Sequence, residues 1–478
     1  MPVLRCDRMH NGKDKNQTPQ RAVNYEGFGT EKMGPLLFRM AMPMVAAQIV
    51  NLLYSIVDRI YIGHLPQVGT TALAGAGLCN TIIILVSSFA NIPGGGGAPL
   101  CSIALGKGKK EEAQAYLNNG IFLLALFSAA LMLVFYGTMD PFLKACGASA
   151  ETLPYARQYL QIYLIGTFFV MISLGLNPFI SSQGYPRTAM LTVVFGAAIN
   201  IVLDPILMFT FNMGIAGAAA ATVISQAVSA FYVLHFLSRK DVPVRLDLRH
   251  MHLDGAVIRA MTALGISPFV MGSTEALIGF VLNGQLSRYG GDIAVSALTI
   301  MQSGMQFISI PLQGFGQGCI PVISYNYGNG STKRVWEAFR IMLIVSFLFN
   351  LAMVIWMVFF PGMEAGLFSD DPALIEAVRK AMPLFMSGFC IFGLQRACQN
   401  MLVALNQPKV SLFIAFLRKV FLLVPLAYFL PHFISPAYNG VYLAESVADF
   451  SAAVICALIC RRLFPGILKT ESGADVVQ

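Results

Sequence analysis

Asn200-Ile-Val-Leu-Asp204-Pro205-Ile-Leu-Met-Phe209 is almost wholly apolar, yet it carries a carboxylate. On insertion scales a carboxylate at the centre of a hydrocarbon-length segment costs about 2.5–3.5 kcal/mol, so such a residue is expected to face a cavity or a partner. Asn200 lies four residues before Asp204 and shares its face on a helix. Pro205 frees a backbone carbonyl one turn back, near residue 201, and predicts a kink there. A carboxylate, an amide and an unpaired carbonyl together suit a proton or a cation. A hydrogen bond from Asp204 to a neighbouring helix is the plainer alternative.

Working outward, the 478-residue chain is 56% hydrophobic and only 12% charged. Soluble chains carry about 25% charge, so half that density over this length points to a polytopic membrane protein. The formal charge of +8 implies no nucleic-acid partner, because membrane topology already requires basic loops. The 24 Met and 35 Phe suit lipid contact or an adaptable apolar cavity. The nine cysteines are scattered. No spacing among them suggests zinc or a disulfide framework, and Cys456 and Cys460, one helical turn apart, read as small core residues. The first 33 residues are polar and lack the apolar core of a cleaved signal peptide; partial disorder is expected there.

Apolar segments long enough to span a bilayer occur twelve times, near 35–62, 72–103, 115–138, 156–181, 187–210, 214–237, 256–286, 293–324, 335–360, 378–404, 409–431 and 439–463. The second contains Pro93-Gly94-Gly95-Gly96-Gly97, where a bend is expected. Close helix packing or a hinge explains these glycines better than a phosphate-cradling loop, because no Lys-Ser/Thr follows them. One set of segment ends is basic: the N-terminal tail, Lys107/Lys109/Lys110, Arg187, Arg239/Lys240/Arg245/Arg249, Lys333/Arg334, Lys409 and Arg461/Arg462/Lys469. The alternating ends are poor in Lys and Arg, with Lys144, Arg288, Arg379 and Lys380 as exceptions. Both termini are therefore expected in the cytoplasm.

The chain also repeats itself. Gly106-Lys-Gly-Lys-Lys110 after the second segment matches Gly328-Asn-Gly-Ser-Thr332 after the eighth, and Gly184-Tyr-Pro186-Arg187 matches Asn406-Gln-Pro408-Lys409, both at an offset of 222 residues. A duplicated six-helix unit follows, with a site expected between its copies. The fold class is thus an all-α polytopic membrane protein of twelve transmembrane helices in two six-helix lobes. The expected organisation is a tail at 1–33, a first lobe at 34–237, a polar linker at 238–255, a second lobe at 256–463 and a tail at 464–478.

In the first segment Gln48, Asn51, Ser55 and Asp58 follow steps of three, four and three and form one polar stripe. Asp58 and Asp204 both lie within two turns of the non-basic ends of their segments, so at ~1.5 Å per residue their depths match within a few ångströms. Two carboxylates sharing a dry cavity cannot both ionise cheaply, which is the chemistry of a proton carrier. Arg59 is expected to snorkel outward, with pairing to Asp58 as the alternative. The second half carries Glu275, Arg396, Glu445 and Asp449. Glu445 and Asp449 share a helical face, and Arg396 near mid-membrane is read either as the partner of Asp449 or as a substrate group. Glu275 has no evident neutralising partner and is the cation-site candidate of this half. Arg418 and Lys419 are expected to snorkel from the start of the eleventh segment. The six histidines lie mainly at segment ends and tails, and no Walker A sequence exists. Neither catalysis nor a cofactor is expected, and uphill transport would draw on a proton or sodium gradient.

Ile56-Val57-Asp58-Arg59 with Ile62-Gly63, the Asn200–Phe209 stretch, Pro321-Val-Ile-Ser-Tyr325-Asn-Tyr-Gly328 and Pro408-Lys409 together resemble the multidrug and toxic compound extrusion (MATE) family of the polysaccharide-flippase superfamily. The likeness covers roughly 34–463 and is strongest to its bacterial DinF/MepA-like branch. It implies two lobes in a V, a central cavity and drug/cation antiport, with Asp58, Asn200 and Asp204 at a first-lobe coupling site. Glu275 falls where some members place a sodium-binding carboxylate, the only metal site implied. Gln317 stands where relatives carry a Glu, Asn406 replaces the commoner Gly, and Arg396 is not a residue of the family pattern.

The expected function is therefore a proton- or sodium-coupled exporter of cationic, lipophilic drugs or toxic metabolites. It would work as a multi-pass monomer in the lipid of a bacterial cytoplasmic membrane. Cavity carboxylates and aromatic faces suit such cations. Alternatives are a lipid-linked saccharide flippase, against which the buried acids Asp58 and Asp204 argue, and a non-transporting receptor or ion channel.

Overall fold

A computed structural model describes residues 25–66, 68–247, 252–368 and 371–472. The far N-terminal tail, the end of the C-terminal tail and the centre of the expected linker lie outside these residues. Among them the chain is helical throughout, with no strand. That is the physical expectation for a chain in hydrocarbon, where each backbone N–H and C=O must be satisfied within its own segment.

Among the described residues up to twelve helices are long and apolar enough to cross a membrane, each of two bent pairs counting as one. The first six are α1 (Met33–Gly63), α2 (Gly69–Gly106), α3 (Lys110–Ala145), α4 (Leu153–Ile165 joined to Thr167–Ser182), α5 (Pro186–Thr210) and α6 (Ile215–Leu237). The continuous stretch Gly255–Gly328 holds two more, α7 (255–290) and α8 (292–328), parted at Gly291. Gly291 sits at φ 64°, ψ −161°, a region that only glycine enters at low cost. Then come α9 (Thr332–Phe359), α10 (Pro372–Met386 joined to Gly388–Ala404), α11 (Pro408–His432) and α12 (Ala437–Leu468). The spans expected from the sequence are thus all present, most of them longer than the ~20 residues a bilayer needs.

The duplication is built into the backbone. Gly108 and Gly330, 222 residues apart, both take positive φ, as do Gly184 and Asn406 at the same offset. Asn is among the few side chains that tolerate that region, which accounts for its replacing Gly. The bends within α4 (58°, at Gly166) and α10 (43°, at Ser387) also fall within one residue of matching places. Asn177 on α4 donates to the Ala189 carbonyl on α5 at 2.8 Å, and Gln399 on α10 donates to the Ser411 carbonyl on α11 at 3.0 Å, again at one offset.

One expectation is corrected and one is made more specific. The Pro93–Gly97 run does not break α2, which runs unbroken through it. Its glycines serve close packing: a Cβ at Gly96 would fall 2.2 Å from the Met261 carbonyl oxygen, and one at Gly265 would fall 2.1 Å from that of Ile92. The polar tail is also ordered in its last residues. Phe28 is fully buried, its carbonyl accepts from Asn326 (2.9 Å) and Arg334 (2.8 Å), and its ring meets Tyr325 edge-on. The Tyr325-Asn326-Tyr327-Gly328 motif therefore docks the entry to α1 onto α8. The linker is tied to the first half through Gln183 to the Val244 amide (2.9 Å) and Asn118 to the Asp247 amide (3.1 Å).

Candidate functional site

The two halves share a backbone plan but carry different buried charges. In the first half, α1, α2, α4 and α6 surround a cavity of about 570 Å³. Asn51, Tyr54, Ser55 and Asp58 supply its α1 wall, and Tyr159, Tyr163 and Gln226 face them. The stripe steps place the first four on one side of the helix, as the spacing requires. One Asp58 carboxylate oxygen is buried without a hydrogen-bond partner. Arg59 is exposed, lines the same cavity and forms no ion pair with Asp58 among the described residues.

Asp204 does not line this cavity, contrary to the expectation of a shared one. It is fully buried behind it, and Asn200 is 1% exposed. The Asn200 amide donates to Asp204 Oδ1 at 3.3 Å, while Asp204 Oδ2 and Asn200 Oδ1 have no partner. Packing on α6 sets this position: a Cβ at Gly196, one turn before Asn200, would fall 2.2 Å from Ser229 Oγ. The expected kink at Pro205 takes the form of a π-helical turn, Ile206–Thr210, a distortion common at functional sites. Tyr54 lines the cavity beside Asp58. It was legible from the spacing that found Asn51 and Ser55, because it precedes Asp58 by four residues.

Gln48, the first member of the stripe, points elsewhere. Its amide donates to Gln317 Oε1 at 2.9 Å, joining α1 to α8.

The second half contains an ion network. Arg418 donates to Asp449 at 2.5 Å, lies 3.5 Å from Glu445, and stacks over Phe392 with its guanidinium 4.7 Å from the ring centre. Lys419 pairs with Glu275. Three expectations change here. Arg418 and Lys419 do not snorkel: they lie ten residues into α11, about 15 Å along the axis, and pair with acids of other helices. Their chain is π-helical from Leu417 to Leu423, and adjacent residues turn to different neighbours, Arg418 to α12 and Lys419 to α7. Glu275 is therefore neutralised. Asp449 is paired with Arg418 rather than Arg396. Arg396 lines a cleft with Gln395, Gln399, Arg418 and Lys419 and has no acidic partner within 4 Å among the described residues. The sequence signal for this network was the unpaired i, i+4 acids of α12, which call for a cation at the same depth.

A carboxylate not singled out from the sequence is Glu364, on a short helix (Pro361–Phe368) between α9 and α10. It is 3% exposed and neither oxygen has a well-formed hydrogen bond. Its space exists because residue 304 is glycine: a Cβ there would fall 2.2 Å from Oε1.

The family model described as MatE matches residues 43–206 and 269–429. The chain is 25% identical over 433 residues to the multidrug export protein MepA of Staphylococcus haemolyticus (strain JCSC1435), covering 89% of this chain and 94% of that protein. The same identity and coverage hold for MepA of Staphylococcus aureus (strain MRSA252). Among solved structures it is similar to one of MATE in a bent conformation, with TM-score 0.88 and 22% identity over 94% of this chain and 99% of the other. It is also similar to an outward-facing multidrug resistance MATE transporter, with TM-score 0.87 and 22% identity over the same shares.

Proposed function

Because the chain belongs to the MatE family, we propose that it is an efflux transporter that exchanges a cationic, lipophilic compound for a proton or sodium ion at the first half's carboxylates. It would need no cofactor and act as a monomer in a bacterial cytoplasmic membrane with both termini inside. One observation carries this reading: Asp58, at a large polar-lined cavity, and Asp204, buried behind its wall, each keep a carboxylate oxygen without a partner and form no ion pair among the described residues. A lipophilic cation entering there meets tyrosine faces and the Asp58 carboxylate, and cation–π attraction adds to the charge attraction. A proton or sodium ion on the same pair removes that attraction. Binding of the two is then mutually exclusive, and a cavity that alternates between the two membrane faces couples their fluxes. The names of the MepA relatives support export of several compounds, and the basic ends of the helices support the orientation.

A second reading, a flippase for a lipid-linked saccharide, draws on Arg396 and the cations beside it. The first-half cavity opposes it, because a phosphate there would face the Asp58 carboxylate, which forms no ion pair among the described residues.

The test is calorimetry of tetraphenylphosphonium binding to purified protein in buffers of different ionisation enthalpy, with and without sodium. Binding is expected to release protons, and its affinity to fall as pH is lowered, because protonated carboxylates no longer attract the cation. Binding with neither proton release nor sodium competition between pH 5 and 9 would overturn direct competition at these acids.

A further inference from the structure

Cys398 on α10 and Cys456 and Cys460 on α12 form a cluster that the transport reading does not use. Cys456 and Cys460 are four residues apart and share one helix face. Cys398 faces them from the packed neighbour, and all three sulfurs lie within 4.8 Å of one another. The residues are 0%, 2% and 3% exposed (Cys456, Cys460, Cys398) and belong to the apolar core. Among the described residues no His, Asp or Glu joins the group.

Buried cysteines ordinarily serve as small, inert core residues. Two features here go beyond packing. The first is geometry. Three sulfurs bound at ~2.3 Å to one centre stand about 4 Å apart when planar and closer when pyramidal, within the spacing the cluster already has. The second is charge. Soft thiolates select soft ions, and a buried net charge without a partner is costly. Three thiolates on Cu(I) would leave two negative charges in the core, and three on Zn(II) or Hg(II) would leave one. A trivalent metalloid with three thiolates is neutral and needs no fourth ligand.

From this we propose that Cys398, Cys456 and Cys460 form a binding site for a trivalent metalloid of the arsenic–antimony class. The site is independent of the transport cavity and ties α10 to α12. Arsenous acid enters by exchange: three As–O bonds break and three As–S bonds form. Each thiol proton leaves with a departing hydroxide as water. No electrons move and no co-reactant is needed.

The experiment incubates reduced, purified full-length protein with arsenite, removes unbound arsenic by gel filtration, and measures arsenic per chain by mass spectrometry. The expected result is one arsenic per wild-type chain and a raised melting temperature, with both lost in Cys398→Ser and in Cys456→Ser. Cys79→Ala, outside the cluster, is expected to retain both. X-ray absorption at the arsenic edge of the wild-type complex gives a measurement independent of variant folding, with three sulfur neighbours and no oxygen expected. Several outcomes would overturn the site: no retained arsenic, equal retention in a Cys398→Ser/Cys456→Ser/Cys460→Ser variant, or oxygen in the arsenic shell. Retention of zinc or copper(I) in place of arsenite would overturn the assigned class.

Discussion

Asp204 combines full burial, a single amide hydrogen bond to one oxygen and none to the other. Replacement by Asn keeps the shape and removes the charge that a proton or cation would compensate. Asp204→Asn is expected to insert and melt like wild type while concentrative export from energised vesicles falls to the level of passive leak. Wild-type uptake against a gradient would exclude Asp204 from coupling. Glu364 makes a second residue-scale case, outside the spans. Burial pushes its carboxyl up from 4.5 to about 7. A folded-state value above the unfolded one means that the folded chain holds the proton more tightly. The resulting stabilisation is fully present below about pH 4.5 and lost as pH rises through 7. Glu364→Gln, which stays neutral, is expected to flatten this slope, so that its melting temperature exceeds that of wild type most at pH 8 and little at pH 5. A constant difference across that range would show that the carboxyl does not titrate there.

At the scale of the helix, the twin landmarks carry the argument. The repeat was readable because its punctuation is backbone chemistry: Gly108 and Gly330, and Gly184 and Asn406, hold positive φ at each copy's turns, and few residue types can stand there. The twelve spans were readable because hydrocarbon tolerates only helices of a minimum length. The ion network was not, because pairing depends on how far each helix is rotated. The π-helical stretch 417–423 re-aims Arg418 and Lys419 in a way no 3.6-residue period anticipates. Likewise, Asp58 and Asp204 were readable as a pair at one depth, but packing of Gly196 against Ser229 puts the second acid behind the cavity wall. The network has its own test. Arg418 offsets Asp449 and Glu445, which are 1% and 5% exposed. Removing one partner of a buried pair costs about 3–5 kcal/mol. Arg418→Ala is expected to lower the melting temperature sharply, and Arg418→Ala/Asp449→Asn to recover part of the loss. An unaltered single variant would mean that water reaches these acids.

Across the whole molecule, the halves meet through small residues near the basic helix ends. A Cβ at Gly318 on α8 would fall 2.3 Å from the Ala41 Cα on α1, one at Gly314 would fall 2.7 Å from the Val45 Cα, and one at Gly328 would fall 2.1 Å from the Ile103 carbonyl oxygen on α2. Gln48 and Gln317 form a hydrogen bond at the end of this seam. Asp58 and its cavity lie beyond it, toward the end where α1 turns into α2. The halves are therefore in contact at their basic ends, and any opening of the cavity toward that side has to part this seam. Overpacking a close helix contact costs about 1–3 kcal/mol, and a change of that size shifts a two-state ratio roughly 5- to 150-fold. Gly318→Val should spend that energy against the closed form and populate one that opens at the basic end. Arg187 and Lys409, exposed counterparts on the two halves, suit paired spin labels. The unmodified seam is expected to give one short distance, and Gly318→Val to add a longer one that grows at the expense of the first. A distance distribution that ignores the substitution, in protein that remains folded, would mean that the seam is not the contact that opens and that the halves move about some other axis.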